Sequence, residues 1–352
     1  MLLPAPIVVT TDCGRYRFDA SGRISFRRGF ASPVPKGTTG YYMDLTWYRI
    51  RPGGHLTIGH RMRTLWHSRA RLPERYADIG AVVSSPSAIA YTVFHGRRQS
   101  LFAARLGRPE RLIATGETSL GFTRAGALVS QRRWTLLVRD GRDWQPRRRI
   151  GGASDVVFDH AARAVYFLAR GRLERFDGTR VTSLAPLAAL GVGPRPQIEP
   201  LGRLVGVRSA SRLVVLRGDG SVFASTGLPR LLARVDGVSS ALAADADGDA
   251  VAFTATRGNT ASGSRGSELV YLLRPGAAAA RVVYRERLSF AVCERGADLS
   301  WRGHWLLYST SEGRVALVDT RWPSHSIDLS AAVARLPGRG PDAERFGAVW
   351  AT

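Results

Sequence analysis

The sequence predicts an all-β protein, a single closed β-propeller built from four-stranded blades. Three observations lead to this fold class. Short segments of alternating apolar and polar residues run through all 352 residues, separated by turns that draw on Gly 38 and Pro 18 spread along the chain. One unit of strand, turn, strand, loop and strand returns at steps of about 40 residues, the period of a propeller blade. No apolar run reaches the roughly 20 residues needed to cross a bilayer. The stretch 241–276, ALAADADGDAVAFTATRGNTASGSRGSELVYLLRPG, shows the unit most clearly. A strand (ALAADA) meets the Asp247-Gly248 turn and a second strand (AVAFTAT). A polar loop then leads to a third strand (ELVYLLR), which stops at Pro275-Gly276. A lone four-stranded blade cannot bury both faces, whereas blades stacked radially bury each face against a neighbour.

Residues 1–43 read as an N-terminal segment. Within it, 16–28 (YRFDASGRISFRR) alternates on both sides of Ser21-Gly22 and is expected as a hairpin, and 31–40 (ASPVPKGTTG) as a Pro/Gly linker. The propeller is expected over 44–331. Its first unit reads LTWYRI, the turn RPGG, HLTIGHR and RTLWHSR. Later units are more regular, with second strands opening at Ala88, Ala127, Ala164, Arg203, Ala250 and Trp305. The last two steps lengthen through the Gly/Ser insert at 257–267 and the segment around Cys293. Counted this way there are seven blades; six or eight follow if the short first unit and the unassigned hairpin are counted differently. Residues 332–352 read as a C-terminal tail, preceded by a helical turn near 330–336.

The apolar strands AIAYTVF after SSPS, AVAFTAT after DADGD and WLLYSTS after RGH resemble the repeats of TolB-like and WD40-like propellers, in which a Ser-Pro-Asp-Gly turn enters an apolar strand. The resemblance spans residues 44–330 and implies a binding or scaffolding role, often outside the cytoplasm. Propellers often complete their last blade with an N-terminal strand, so the 16–28 hairpin is expected there, bringing Cys13 towards Cys293. A Cys13–Cys293 disulfide would close a long loop and stabilise the fold by about 3–5 kcal/mol in the chain-entropy model. Two free core thiols are the other reading. Equal masses after alkylation with and without prior reduction would show that no bond exists.

The formal charge is +23, and Lys36 is the only lysine, so the excess is arginine. Guanidinium groups suit anionic partners such as acidic polymers, yet arginine is also a generic soluble surface residue. The arginines form few runs, and the densest, Arg147-Arg148-Arg149, falls in an expected strand. Nucleic-acid readers concentrate basic residues and interleave them with aromatics, so nucleic acid is not expected. The opening MLLPAPIVVTT is short, lacks a basic start and contains two prolines. It reads either as the remnant of an export signal or as an entry segment. The expected location is extracytoplasmic or secreted, with the cytoplasm as the alternative, and the expected state is a monomer.

Little in the sequence carries chemistry. Asp44, Asp78 and Glu117 each stand nine positions before the turn residue that opens a second strand, Gly53, Ser87 and Gly126. That register would put three carboxylates at similar heights around one mouth of a central channel, as a binding site for a cationic group. Such residues also bond to the amides of neighbouring loops. Asp245, Asp247 and Asp249 invite a calcium reading, but glycine falls at the fourth position and Thr256 at the twelfth, so turn chemistry is favoured. Neither HExxH nor GxSxG nor GxxxxGK occurs, and the two cysteines form no CxxC pair, so no catalytic residue, metal or cofactor is expected. Trp47, Trp134, Trp301 and Trp305 are expected to fill space between blades. Trp66, Trp144, Trp322 and Trp350, nearer turns or termini, could stack on a sugar or a peptide.

The functional expectation is a non-catalytic binding or scaffold module for a protein or small-molecule partner. One alternative is a propeller enzyme, a hydrolase or lyase acting on a glycan or lactone. The other is adhesion to anionic polymers through surface arginines.

Overall fold

A computed structural model describes residues 2–11, 14–28, 40–41, 46–50, 55–60, 63–71, 77–95, 98–193, 196–209, 211–228, 242–244, 249–257, 266–277, 279–288, 297–310, 313–337 and 347–351. Apart from the short helices Leu187–Leu190 and Ser330–Ala334 and a 3-10 turn at Pro323–His325, their regular structure is antiparallel β. The strands assemble into eight four-stranded sheets of a β-propeller, numbered here as blades in chain order. The chain falls into two compact units, Met1–Phe30 with Gly191–Thr352, and Ala31–Leu190.

The second unit holds four blades. Blade 2 comprises Gly40–Tyr41, Thr46–Ile50, His55–His60 and Arg63–Arg71; blade 3 comprises Ala77–Ser84, Ala88–His95, Arg98–Arg105 and Arg111–Thr115. Blade 4 comprises Thr118–Phe122, Leu128–Arg132, Thr135–Arg139 and Pro146–Gly151; blade 5 comprises Ser154–Asp159, Ala164–Ala169, Arg172–Phe176 and Val181–Pro186. Alternation along each strand puts one set of side chains on each face. Blades 2 and 3 meet through Leu56, Ile58, Trp66, Ile89, Tyr91 and Val93. Blades 3 and 4 meet through Ala90, Leu101, Ala103, Phe122, Leu128 and Trp144. Blades 4 and 5 meet through Val129, Leu136, Val138, Val165, Phe167 and Phe176.

In the first unit, blade 6 comprises Gln197–Leu201, Leu204–Arg208, Arg212–Arg217 and Val222–Gly227. Blade 7 comprises Leu242–Ala244, Val251–Arg257, Gly266–Leu273 and Arg281–Leu288. Blade 8 comprises Ala297–Arg302, Trp305–Thr310, Val315–Asp319 and Ile327–Asp328. Leu213, Val215 and Phe253 pack blades 6 and 7 together, and Val270, Leu272, Leu306 and Tyr308 pack blades 7 and 8 together.

Blade 1 explains why the count is eight where the repeat spacing pointed to seven. Blade 8 already owns a fourth strand in Ile327–Asp328, so the hairpin Gly14–Phe18 with Ile24–Arg28 has no vacancy to fill there. It pairs instead with Ile7–Thr11, whose other edge takes Gly347–Trp350 from the far end of the chain. The expected entry segment and the expected tail thus contribute one strand each. The physical reason lies in IVVTT, where Ile7, Val9 and Thr11 share one face and are at most 1% exposed. Ile7 and Val9 pack with Phe18, Leu307, Leu317 and Leu329, and full burial of each such side chain contributes about 1.5–3 kcal/mol. Ala348 joins the same cluster, and the Ala351 N–H donates to Pro6 O at 2.9 Å, holding the last strand in register.

Candidate functional site

Blade 4 presents a cavity on one of its faces. One face of the blade, carrying Val129, Leu136 and Val138, is consumed by packing on blade 5. Period-two alternation sends Ser130, Arg132, Thr135, Leu137 and Arg139 to the opposite face, and Arg149 joins them because it pairs across from Leu137. Part of this face lines a cavity of 610 Å³, together with Gly116, Glu117, Arg133, Trp134 and Pro146. That volume falls within the range of roughly 300–1,000 Å³ typical of small-molecule sites.

The floor of the cavity is a buried ion pair. Arg139 Nη2 donates to both Glu117 oxygens at 2.8 and 2.9 Å, and the Ser130 hydroxyl donates to Glu117 Oε2 at 2.8 Å. Arg139 Nη1 donates to the Trp144 carbonyl at 2.8 Å, while its buried Nε has no hydrogen-bond partner. Both charged side chains are about 95% shielded, and their opposite charges leave no net charge on the floor. The rim is different. Arg132, Arg133 and Arg149 are exposed and have no acidic partner among the described residues. Their neighbours in the arginine run are engaged elsewhere, Arg147 with Asp143 at 2.6 Å and Arg148 with the Thr179 carbonyl at 2.6 Å.

Arg133 and Trp134 form the two-residue loop between Arg132 and Thr135, which pair across the hairpin. Arg133 sits at φ 52°, a left-handed conformation also taken by Arg170 (φ 51°) in the corresponding loop of blade 5, between Ala169 and Arg172. The loop is tied down at both carbonyls: Gln131 Nε2 donates to Arg133 O and the Ala153 N–H to Trp134 O, each at 2.9 Å. The indole projects from it, 65% exposed. The site is therefore a rigid, cationic concavity with one planar apolar wall. It can pair an anion with guanidinium forks while a ring lies on the indole.

The carboxylates singled out in the sequence fare differently from one another. Asp44 lies outside the described residues. The backbone of Asp78 stands near the start of blade 3, paired opposite Phe94, and its side chain is not described. Glu117 precedes blade 4, and its carboxylate is engaged with Arg139 and Ser130. Cys13, Cys293, Asp245 and Asp247 also lie outside the described residues. Among the described residues no group of three or more His, Cys, Asp or Glu side chains could hold a metal ion. The sequence does not mark Arg132, Arg133 and Trp134 as a site, because Trp134 opens the apolar run WTLLVRD and reads as packing between blades, whereas it is exposed. Trp66 and Trp144, read as candidates for stacking, are instead 5% exposed and packed in cores. The usable signal was the polar triplet Gln131-Arg132-Arg133 between two apolar runs, which marks a turn.

A second cluster of ionisable groups lies in the blade 7 and 8 core. The Tyr308 hydroxyl donates to Glu268 Oε2 at 2.6 Å, the Tyr284 hydroxyl donates to Glu286 Oε2 at 3.0 Å, and Arg314 Nε lies 3.4 Å from Glu286 Oε1. Burial first, and the neighbouring glutamates second, push both tyrosine hydroxyls well above their usual range, so they stay neutral donors. This network satisfies buried carboxylates inside an apolar cluster, and its members do not line the blade 4 cavity.

The fold defines the chain as a β-propeller, and comparison with solved structures agrees. No family model and no curated protein sequence matches the chain. Among solved structures, the dihydro-heme d1 dehydrogenase NirN in complex with DHE is similar at a TM-score of 0.50 and 14% identity, covering 93% of this chain and 74% of that one. Hsv2 of Kluyveromyces lactis is similar at 0.46 and 10% identity, covering 78% and 89%. BamB of Moraxella catarrhalis is similar at 0.41 and 12%, covering 90% and 91%.

Proposed function

We propose that the protein is a non-catalytic binding module that holds anionic polymers at the blade 4 cavity. The observation that carries this reading is the rim itself, where Arg132, Arg133 and Arg149 surround Trp134 without acidic partners among the described residues. Three guanidinium groups over a neutral floor make a local positive field within a chain of net charge +23. The Glu117 carboxylate supports binding over acid–base chemistry, because Arg139 and Ser130 already engage it.

Titration with heparin, a sulfated polysaccharide, and with uncharged dextran of similar length tests the reading. Heparin binding should weaken steeply as salt rises from about 50 to 500 mM, since exposed charges are screened over that range. Dextran should not bind, and Arg149→Ala should weaken heparin binding several-fold. Salt-independent binding, or equal binding of dextran, would remove the reading.

A further inference from the structure

The chemistry of the blade 4 cavity recurs in the other unit. A cavity of 520 Å³ there is lined by Leu272, Arg274, Ala277, Ala279, Arg281, Arg321 and Trp322. It lies where blade 7 turns from its third to its fourth strand, beside the segment that follows the third strand of blade 8. Three arginines again accompany one tryptophan, and the tryptophan is again exposed, at 64%. Trp134 and Trp322 are the two exposed tryptophans among the described residues, and each lines an arginine-rich cavity. Core packing explains neither of them.

The second cavity is also held in shape by its own hydrogen bonds. Asp319 Oδ1 accepts the backbone N–H groups of Arg321 at 2.9 Å and Trp322 at 3.0 Å, which fixes the turn that presents both side chains. Arg281 Nη2 donates to the Thr320 carbonyl at 3.0 Å, setting that guanidinium beside the turn. Arg274 and Arg321 are exposed, and neither has an acidic partner among the described residues. The rest of the lining is aliphatic, from Leu272, Ala277 and Ala279.

We propose that this cavity is a second, independent subsite for the same ligand chemistry, and that both subsites take a carboxylated or sulfated sugar ring of an acidic polysaccharide. The proposal rests on the binding-module reading above. A sugar ring presents an apolar C–H face to an indole and its acid group to guanidinium forks, which is the pairing each cavity offers. A single-stranded nucleic acid would call for several aromatics in series along a basic groove, and each cavity has one.

Calorimetric titration of the full chain with a heparin-derived hexasaccharide distinguishes the outcomes. Two sites per chain are expected, falling to one in Trp322→Ala and in Trp134→Ala. Both substitutions lie at exposed positions and should leave the fold intact, which circular dichroism would check. Arg274→Ala should weaken the second subsite about tenfold, the effect of losing one charge-assisted hydrogen bond. A single site that Trp134→Ala abolishes and Trp322→Ala leaves unchanged would overturn the second subsite while leaving the blade 4 site standing. Preference for single-stranded DNA over the hexasaccharide would overturn the sugar assignment. Failure to bind any of these anions would sink the binding-module reading itself.

Discussion

Glu117 and Arg139 show how much depends on single side chains in a blade interior. Each is about 95% shielded from solvent, and Arg139 spends its two terminal nitrogens on Glu117 and the Trp144 carbonyl. Glu117→Gln would leave a buried guanidinium without its counter-charge, and the expected loss of unfolding free energy is about 3–5 kcal/mol. The double substitution Glu117→Leu with Arg139→Met should recover most of that loss, since an apolar pair needs no counter-charge; urea unfolding of the three variants checks both statements. Arg133 predicts the opposite sign. At φ 52° it occupies a conformation that glycine adopts freely, so Arg133→Gly should stabilise the protein by about 1 kcal/mol or less while weakening heparin binding. A variant that gained stability and kept full affinity would show that the Arg133 guanidinium takes no part in binding.

At the scale of elements, hairpins were the legible part of the sequence. The second strands expected at Ala88, Ala164 and Trp305 start at those residues, because apolar β-rich runs between turn residues leave few alternatives. The roles of individual side chains within those strands were less legible, since they depend on the neighbouring sheet. Gly59 is an example. In the sequence it is a weak point of the strand HLTIGH, but a Cβ there would lie 2.1 Å from the Trp47 ring and 2.5 Å from the Arg63 carbonyl oxygen. Trp47 is 1% exposed and a backbone oxygen cannot swing aside, so Gly59→Ala should destabilise blade 2 by about 1–3 kcal/mol. A thermal midpoint matching that of the unsubstituted protein would contradict this packing. The cavity was illegible at this scale for a related reason. Arg149 joins Arg132 and Trp134 only through the pairing of Leu137 with Arg149, a register that the local pattern does not specify.

For the molecule as a whole, the outcome that matters most is the sheet made from both chain ends. Removing Gly347–Trp350 would strip Ile7–Thr11 of its edge partner and uncover part of the cluster around Ile7, Val9 and Ala348. The expected result is a lower thermal midpoint and concentration-dependent aggregation, measured by calorimetry and light scattering; an unchanged midpoint would mean the strand is dispensable. This long-range pairing also marks the division between the two sources of information. The sequence by itself determined that the protein is all-β and built from four-stranded repeats, because alternation, turn chemistry and a repeat of about 40 residues are local properties that need no knowledge of neighbours. Only the tertiary structure decided that the blades number eight, that Glu117 is neutralised, and that arginines from separate strands meet an exposed tryptophan twice. Those outcomes depend on which strand lies beside which and in what register, and residues far apart in the chain set that jointly by burying one another's faces.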